Sequence, residues 1–389
     1  MGPLTGIRIV EFAGIGPGPF AGMMLADMGA EVLRIDRAAS GGKAMPDQAY
    51  GDVLGRGRKS VTLDLKDPAS VEVALRLVAQ ADGLIEGFRP GVMERLGLGP
   101  EVCAARNRAL VYGRMTGWGQ DGPLAHAAGH DINYIALSGA LWATGDKEGA
   151  PVPPLNLLGD FGAGGMLLAF GMVAALLRAA KTGEGDVVDA AIVDGTATLM
   201  GFIYGFLANG GWQNARASNR LDGAAPFYGT YACADGKWIS LAPLEPQFFA
   251  LLVERLGLSG AAVEGRDDPA HWPALRAELE TVFRQKSRDE WCAVFEGTDV
   301  CFAPVLDLEE APQHPHNVAR GVFDTSAGYA QPAPAPRFAN APAQMPPPAP
   351  RAGADNATAL QGWGFGQEEV EALIGAGVLR ADQAPIKNK

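Results

Sequence analysis

The sequence predicts an α/β protein in which a large domain, built on a doubly wound parallel sheet, is followed by a smaller α+β domain. Two observations carry the large domain. First, the chain opens as strand, glycine-rich turn, helix and strand: IRIVEF (7–12), GIGPGP (14–19), FAGMMLADMGA (20–30) and EVLRID (31–36). Short apolar runs bounded by turn residues read as buried strands, and the helical spacing between them completes a βαβ unit. Second, the alternation continues through a helix near 70–80 (VEVALRLVAQ), a strand at GLIE (83–86) and another at ALVYG (109–113). A parallel sheet covered on both faces, Rossmann-like in outline, requires that order.

The third observation concerns the small domain. PFYGTYACADGKWISLAP (226–243) alternates like a hairpin around ADGK, and 245–257 then reads as a helix. The expected organisation is a large domain over 1–220, a small α+β domain over 221–330, and a Pro/Ala-rich connection over 331–389. QPAPAPRFANAPAQMPPPAPRAGA (331–354) reads as extended chain over the surface. A short amphipathic helix, QEEVEALIGAGV, then returns to the large domain. The stretch AGGMLLAFGMVAALLRAAK (163–181) is apolar nearly all round, which predicts a helix buried in the core or against a second subunit. No internal repeat occurs.

A chain of 389 residues with 48% hydrophobic residues can bury a large core. Its net charge of −12 argues against nucleic acid or an anionic membrane as the main partner, while leaving room for a local anion site. Four scattered cysteines (Cys103, Cys233, Cys292, Cys301) without a CxxC favour reduced thiols over a disulfide framework or a zinc site. The N-terminus lacks a signal-peptide pattern, no uninterrupted apolar run reaches ~18 residues, and the closing IKNK is no peroxisomal address. These features predict a cytoplasmic enzyme.

GIGPGP with Asp36 at the end of the second strand has the outline of a dinucleotide site, and fails in detail. Pro19 stands where a third glycine should allow close helix packing, Pro17 removes an amide from the phosphate cradle, and Arg37 follows the acid. A tight βα turn explains it better. Basic residues gather at or after predicted strand ends: Arg34, Arg37, Arg56, Arg58, Lys59, Lys66 and Arg89. Open α/β sheets place ligands there, so an anion site and a set of solvated surface charges both fit.

His130 in AAGHDINYIALSG is either a proton-transfer group or an ordinary satisfied histidine. Asp160 in PPLNLLGDFGAGG sits before a glycine-rich helix start, where it either caps the helix or faces a cleft. Glu245 in LAPLEPQFF opens a helix, where an acid complements the dipole. Met23, Met24, Met166, Met172, Met200 and Trp212 read as core rather than as a cofactor box. There is no GxSxG elbow and no HExxH spacing.

Taken together, GIGPGPFAGMMLADMGAEVLRIDR, GRGRKSVTLDLK, RPGVMERLGLGP, RMTGWGQDGP, AGHDINYIALSG, PPLNLLGDFGAGG, LDGAAPFYGTYACADGKW, EPQFF and GTDVCFAPVL resemble the α-methylacyl-CoA racemases of the family III CoA-transferase superfamily. The resemblance runs over nearly the whole chain. It implies a CoA thioester substrate, no metal, no redox cofactor, and an interlocked homodimer with active sites between the large domain of one subunit and the small domain of the other. It assigns proton transfer to His130 and Asp160, with Glu245 near that acid. Contacts to CoA would fall on Arg37, on Leu63, Asp64, Leu65 and Lys66, on Arg89, and on Gly129, Asp131, Ile132, Asn133 and Tyr134. The sister activity, CoA transfer between carboxylates, uses an aspartate at the Asp160 position as nucleophile. His130 and the absence of a glycine run longer than ANGGW (208–212) favour the racemase over the transferase. A non-enzymatic CoA-binding protein is a further class. Which acyl chain is taken stays open.

Inverting a carbon beside a thioester needs two acid/base groups on opposite faces. An imidazole and a carboxyl are of the right types, provided that the carboxyl pKa is raised, as a neighbouring carboxylate such as Glu245 would do. Backbone amides near Asp160 are expected as donors to the enolate oxygen.

Overall fold

The structure is a computed structural model that describes residues 2–37 and 52–380. The closing IKNK lies outside the described residues. Within them the chain divides into two compact units: residues 2–37, 52–138, 154–200 and 322–380 form one, and 139–153 with 201–321 form the other.

The first unit holds six parallel strands: β1 (Arg8–Phe12), β2 (Glu31–Arg37), β3 (Arg58–Leu63), β4 (Gly83–Glu86), β5 (Val111–Thr116) and β6 (Asp186–Ala191), in the spatial order β3-β2-β1-β4-β5-β6. That is the doubly wound order of a Rossmann-like sheet, with its reversal point between β1 and β4. Strand alternation fills both faces. Val10, Leu33, Leu84 and Tyr112 enter one core, and their neighbours Ile9, Val32, Ile85 and Val111 enter the other. The first core is closed by α2 (Pro68–Val78) and by residues of the returning C-terminal segment; the second is closed by α1 (Pro17–Asp27) and a long apolar helix. Between β4 and β6 come α3 (Val92–Arg95), α4 (Pro100–Arg106), α5 (Asp131–Leu137) and that long helix, α6 (Leu167–Thr182).

A ten-residue π-helical segment, Leu157–Met166, leads into α6. Together Leu157–Thr182 is long and apolar enough, by length and composition, to cross a membrane, which the count of uninterrupted apolar residues did not anticipate. One face packs on the sheet through Leu168, Met172 and Leu176, with the Met172 sulfur filling the space that Gly113 of β5 leaves without a side chain. The other face, including Phe170 and Leu177, is exposed in the single chain, so burial in the core accounts for one face of this helix. Met166 is likewise exposed, whereas Met23 and Met172 are core. After β6, α7 (Ile192–Leu199) ends the contiguous part of this unit.

The second unit contains α8 (Gly201–Ala208) and an antiparallel sheet of β7 (Gly229–Ala232), β8 (Trp238–Leu241) and β9 (Phe302–Val305). Helix α9 (Pro246–Leu256) follows the hairpin, and the core gathers Phe227, Tyr231, Phe249, Leu279, Phe283 and Trp291. Residues 201–220 count with this unit, 20 positions earlier than the change in sequence character suggested. The reason is local bonding: buried Arg216 donates to the carbonyls of Asp146 and Gly149, and Trp142 Nε1 donates to Asn214. These contacts fasten loop 139–153 to the segment around 214–216.

The Pro/Ala-rich connection lies against the first unit. Gly57 N–H donates to the Pro347 carbonyl, Arg34 Nη2 reaches the Pro350 carbonyl, and Ala349 is buried. Two helices then follow, at Asn356–Gly362 and Gln367–Gly375, and Leu360, Trp363 and Val370 are buried in the first core.

Candidate active site

Of the seven basic residues that the sequence gathers near strand ends, four are consumed by ion pairs. Arg34 Nε meets Asp36 at 2.9 Å, Arg58 Nε meets Glu11 at 2.9 Å, Lys59 Nζ meets Glu31 at 3.2 Å, and Arg56 binds Asp27 through two nitrogens. Arg56 and Arg58 are buried, not solvated. Asp36, the acid that would read a ribose in a dinucleotide enzyme, is held by Arg34 and by the Ser60 hydroxyl. Among the described residues, Arg37, Lys66 and Arg89 have no ion-pair or hydrogen-bond partner for their side chains, and all three are exposed. They follow the carboxyl ends of β2, β3 and β4, the edge where such sheets bind ligands. In the LDLK stretch Leu63 is core and Leu65 packs against it, so only the backbone and the side chains of Asp64 and Lys66 can face outward there.

The two glycine-rich motifs explain each other. Gly16, at φ 67°, sits where an added Cβ would lie 3.3 Å from Asp160 Oδ2, so the GIGPGP turn lies directly over that carboxylate. In the π segment, a Cβ on Gly164 would lie 3.0 Å from Pro17 and one on Gly165 2.7 Å from Phe20. Phe161 and Phe20 stack with ring centroids 5.0 Å apart. Gly16, Gly164 and Gly165 thus allow close packing of the π segment on the start of α1.

Asp160 is not an N-cap. Asn156 occupies that position and turns its side-chain amide to Asp160 Oδ2 at 3.2 Å. The Asp160 backbone N–H donates to Asp131 Oδ2 at 2.7 Å, which joins the π segment to the first turn of α5. That amide is therefore spent, and the expected role of amides near Asp160 as enolate donors does not extend to it. Burial raises the Asp160 pKa from its ordinary value; the Asn156 hydrogen bond opposes this, the Asp131 charge adds to it, and the His130 charge opposes it.

His130 is the N-cap residue of α5, and it is exposed, which removes the reading of a satisfied core histidine. Its backbone N–H donates to Asn133 Oδ1 at 3.0 Å, half of a capping box that sets the helix start. Behind it, Tyr134 packs edge-on against Trp118 at 4.7 Å, and no side chain at Gly117 or Gly129 would fit beside that ring. Burial pushes the Tyr134 phenol pKa up, with the Asp160 charge adding and Arg89 opposing. Asp131 is buried and Ile132 is partly exposed. His130, Asp160, Tyr134 and Arg89 are thus assembled within the first unit, between loops that follow β1, β4 and β5, at the sheet's reversal point.

Glu245 belongs to the second unit. It is the exposed N-cap residue of α9, its side chain makes no capping bond, and the Leu244 carbonyl before it accepts from Arg266 Nη2 at 2.6 Å. Sequence reasoning passed over Asn156 and Gly16. Asn156 stands four residues before Asp160 in the quoted PPLNLLGDFGAGG, whereas nothing in GIGPGP itself points Gly16 toward that acid.

The first unit thus sets a Rossmann-like sheet with exposed cations along its carboxyl edge beside an imidazole and a carboxyl whose pKa burial raises. The model of CoA-transferase family III matches residues 4–356, and the chain belongs to that family. It is similar to the α-methylacyl-CoA racemase of Mus musculus, 44% identical over 98% of both chains, and to that of Homo sapiens, 43% identical over 98% of both. A crystal structure of a CAIB/BAIF family protein from Brucella suis aligns with TM-score 0.78 and 26% identity, covering 93% of this chain and 99% of that one.

Proposed function

We propose that the chain is an isomerase that inverts the 2-methyl centre of 2-methylacyl-CoA thioesters by 1,1-proton transfer through an enolate, with His130 and Asp160 as the two acid/base groups. The observation that carries this reading is the exposed imidazole of His130 beside an Asp160 carboxyl whose pKa is raised by burial. The thioester makes the α-hydrogen acidic. Neutral His130 removes it from one face while protonated Asp160 returns a proton to the other, and the roles exchange for the opposite epimer. Only a carboxyl with a raised pKa can hold that proton near neutral pH. The scheme moves no electrons between molecules and asks for no metal or redox cofactor, since CoA enters with the substrate.

Arg37, Lys66 and Arg89 suit the CoA phosphates. The first turn of a helix leaves N–H groups without intrahelical partners, so the amides of Asp131 and Ile132, next to His130, are the donors we assign to the enolate oxygen. Homodimerisation is supported by the exposed apolar stripe of Met166, at the end of the π segment, with Phe170 and Leu177 on α6, which a second copy would cover. Cytoplasmic residence is supported by four free cysteines.

The test is deuterium uptake at the α-carbon of a 2-methylacyl-CoA in D2O with no acceptor acid present. Exchange is expected; its absence overturns the reading. The transferase alternative, favoured by the family's name and by a carboxylate suited to acyl capture, predicts instead a hydroxylamine-trapped thioester on Asp160 and dependence on a free carboxylate. Replacing Glu245 by Gln is expected to lower turnover and shift the pH profile of exchange, and an unchanged profile leaves Glu245 as a helix-start acid only.

A further inference from the structure

We propose that Asp131 is a positioning residue for proton transfer: its buried carboxylate clamps the backbone of Asp160 and fixes where that acid's side chain stands. The inference rests on the assignment of Asp160 above and concerns a different atom from any substrate contact. Asp131 is 8% exposed, so its side chain faces the protein and not the cleft. Oδ2 accepts the Asp160 N–H at 2.7 Å across 29 residues of sequence. The fit is close enough that a Cβ on Gly159 would lie 2.2 Å from the same oxygen, and 2.9 Å from the Ile135 side chain. Glycine at 159 is what lets the carboxylate reach.

The second oxygen, Oδ1, is buried and accepts no hydrogen bond from a protein group among the described residues. Here it sets a second negative charge beside Asp160. The groups that act on Asp160 are then Asp131 and His130 from α5 and Asn156 from the π segment, with Tyr134 near and Arg89 acting on Tyr134. Only Asp131 among the side chains of this set favours the protonated carboxyl. A fixed anion beside Asp160 holds that acid's proton to higher pH, the state that its proton-returning role requires.

Asp131→Asn keeps the size of the side chain and an oxygen for the Asp160 N–H, and removes the charge. The pH profile of α-proton exchange should move toward acid by on the order of one pH unit, with KM for the acyl-CoA within about twofold of wild type and kcat at neutral pH lowered. Gly159→Ala, which forces the carboxylate away, should produce the same acidward displacement. A profile that stays in place in both variants, or a rise in KM with an unmoved profile, overturns the proposal and makes Asp131 either a core residue or a ligand contact. A readout without turnover separates this from the racemase assignment. The Asp160 amide proton resonance should move upfield in Asp131→Asn, because a charged acceptor has been replaced by a neutral one. An unmoved resonance overturns the clamp. Failure of the wild-type enzyme to exchange any α-proton instead sinks the function and leaves the amide result to judge the clamp.

Discussion

Asp160→Ala and His130→Ala should each abolish net epimerisation, with a loss of at least ~10²–10⁴-fold, the usual worth of a positioned acid or base. The two losses should differ in kind. With one group gone, the other can still remove and return a proton on its own face, so washout of the α-hydrogen into D2O should persist for one epimer and vanish for the other. His130→Ala and Asp160→Ala should spare opposite epimers. Retention of full activity in either variant overturns the assignment. Stability should move against activity at Asp160. Its pKa is raised in the folded state, so the native protein holds this proton more tightly than the unfolded chain; the ionised form costs stability above that range, and the cost disappears as pH falls through the native pKa. Asp160→Asn should therefore unfold at a higher temperature than wild type at neutral pH and no higher at acid pH, a difference that scanning calorimetry reads directly.

Arg58→Met should destabilise the first unit by about 3–5 kcal/mol, because it strands a buried carboxylate. The Arg58 side chain is fully buried and that of Glu11 nearly so. Its guanidinium donates to Glu11 on β1, to the carbonyls of Leu54 and Arg56, and to that of Pro19 in the first turn of α1. Gly22 of α1 leaves room for the pair, since a Cβ there would meet both partners at 2.5 Å. Replacing both members, Glu11→Leu with Arg58→Met, should recover much of the loss, because the penalty belongs to the orphaned charge. Urea denaturation of the single and double variants would measure this, and a double variant as unstable as the single one contradicts the argument.

Much of the large unit was legible because burial on both faces writes continuous apolar runs. IRIVEF, EVLRID and GLIE fall on β1, β2 and β4, and the ADGK hairpin falls on β7 and β8. What escaped has a physical cause in each case. Strand β6 is an edge strand with four of six residues open or half-open to solvent, so DVVDAA lacks the apolar signature. Of the π segment only 163–166 reads as helix in the sequence, because the glycines at 159 and 162 make 157–162 look like a loop before the helix start. The basic residues were legible as a cluster but not as partners: that Arg58 meets Glu11, 47 positions away, depends on strand order. In the site, His130 and Asp160 were singled out from their surroundings. The roles of Asn156 and Gly16 were not: the first depends on the π-helical turn that brings residues four apart together, and the second on a contact made only after the chain has folded back.

The closing segment of the first unit carries a consequence for synthesis. Strand β3 is at the sheet edge, and its outward amides are taken late: Ser60 N–H by Asp355 and Thr62 N–H by Asn356, contacts that span 294 to 295 residues. Trp363 and Leu360 are wholly buried in the same region. A ribosome releases these residues only after the entire second unit has been made, so the open rim of β3 waits unpaired through most of translation. During that interval the nascent protein offers a strand to any neighbour, and a stop codon near position 350 would make the exposure permanent. Expression yield of such a truncated chain would then depend on chaperone supply far more than on the stability of either unit.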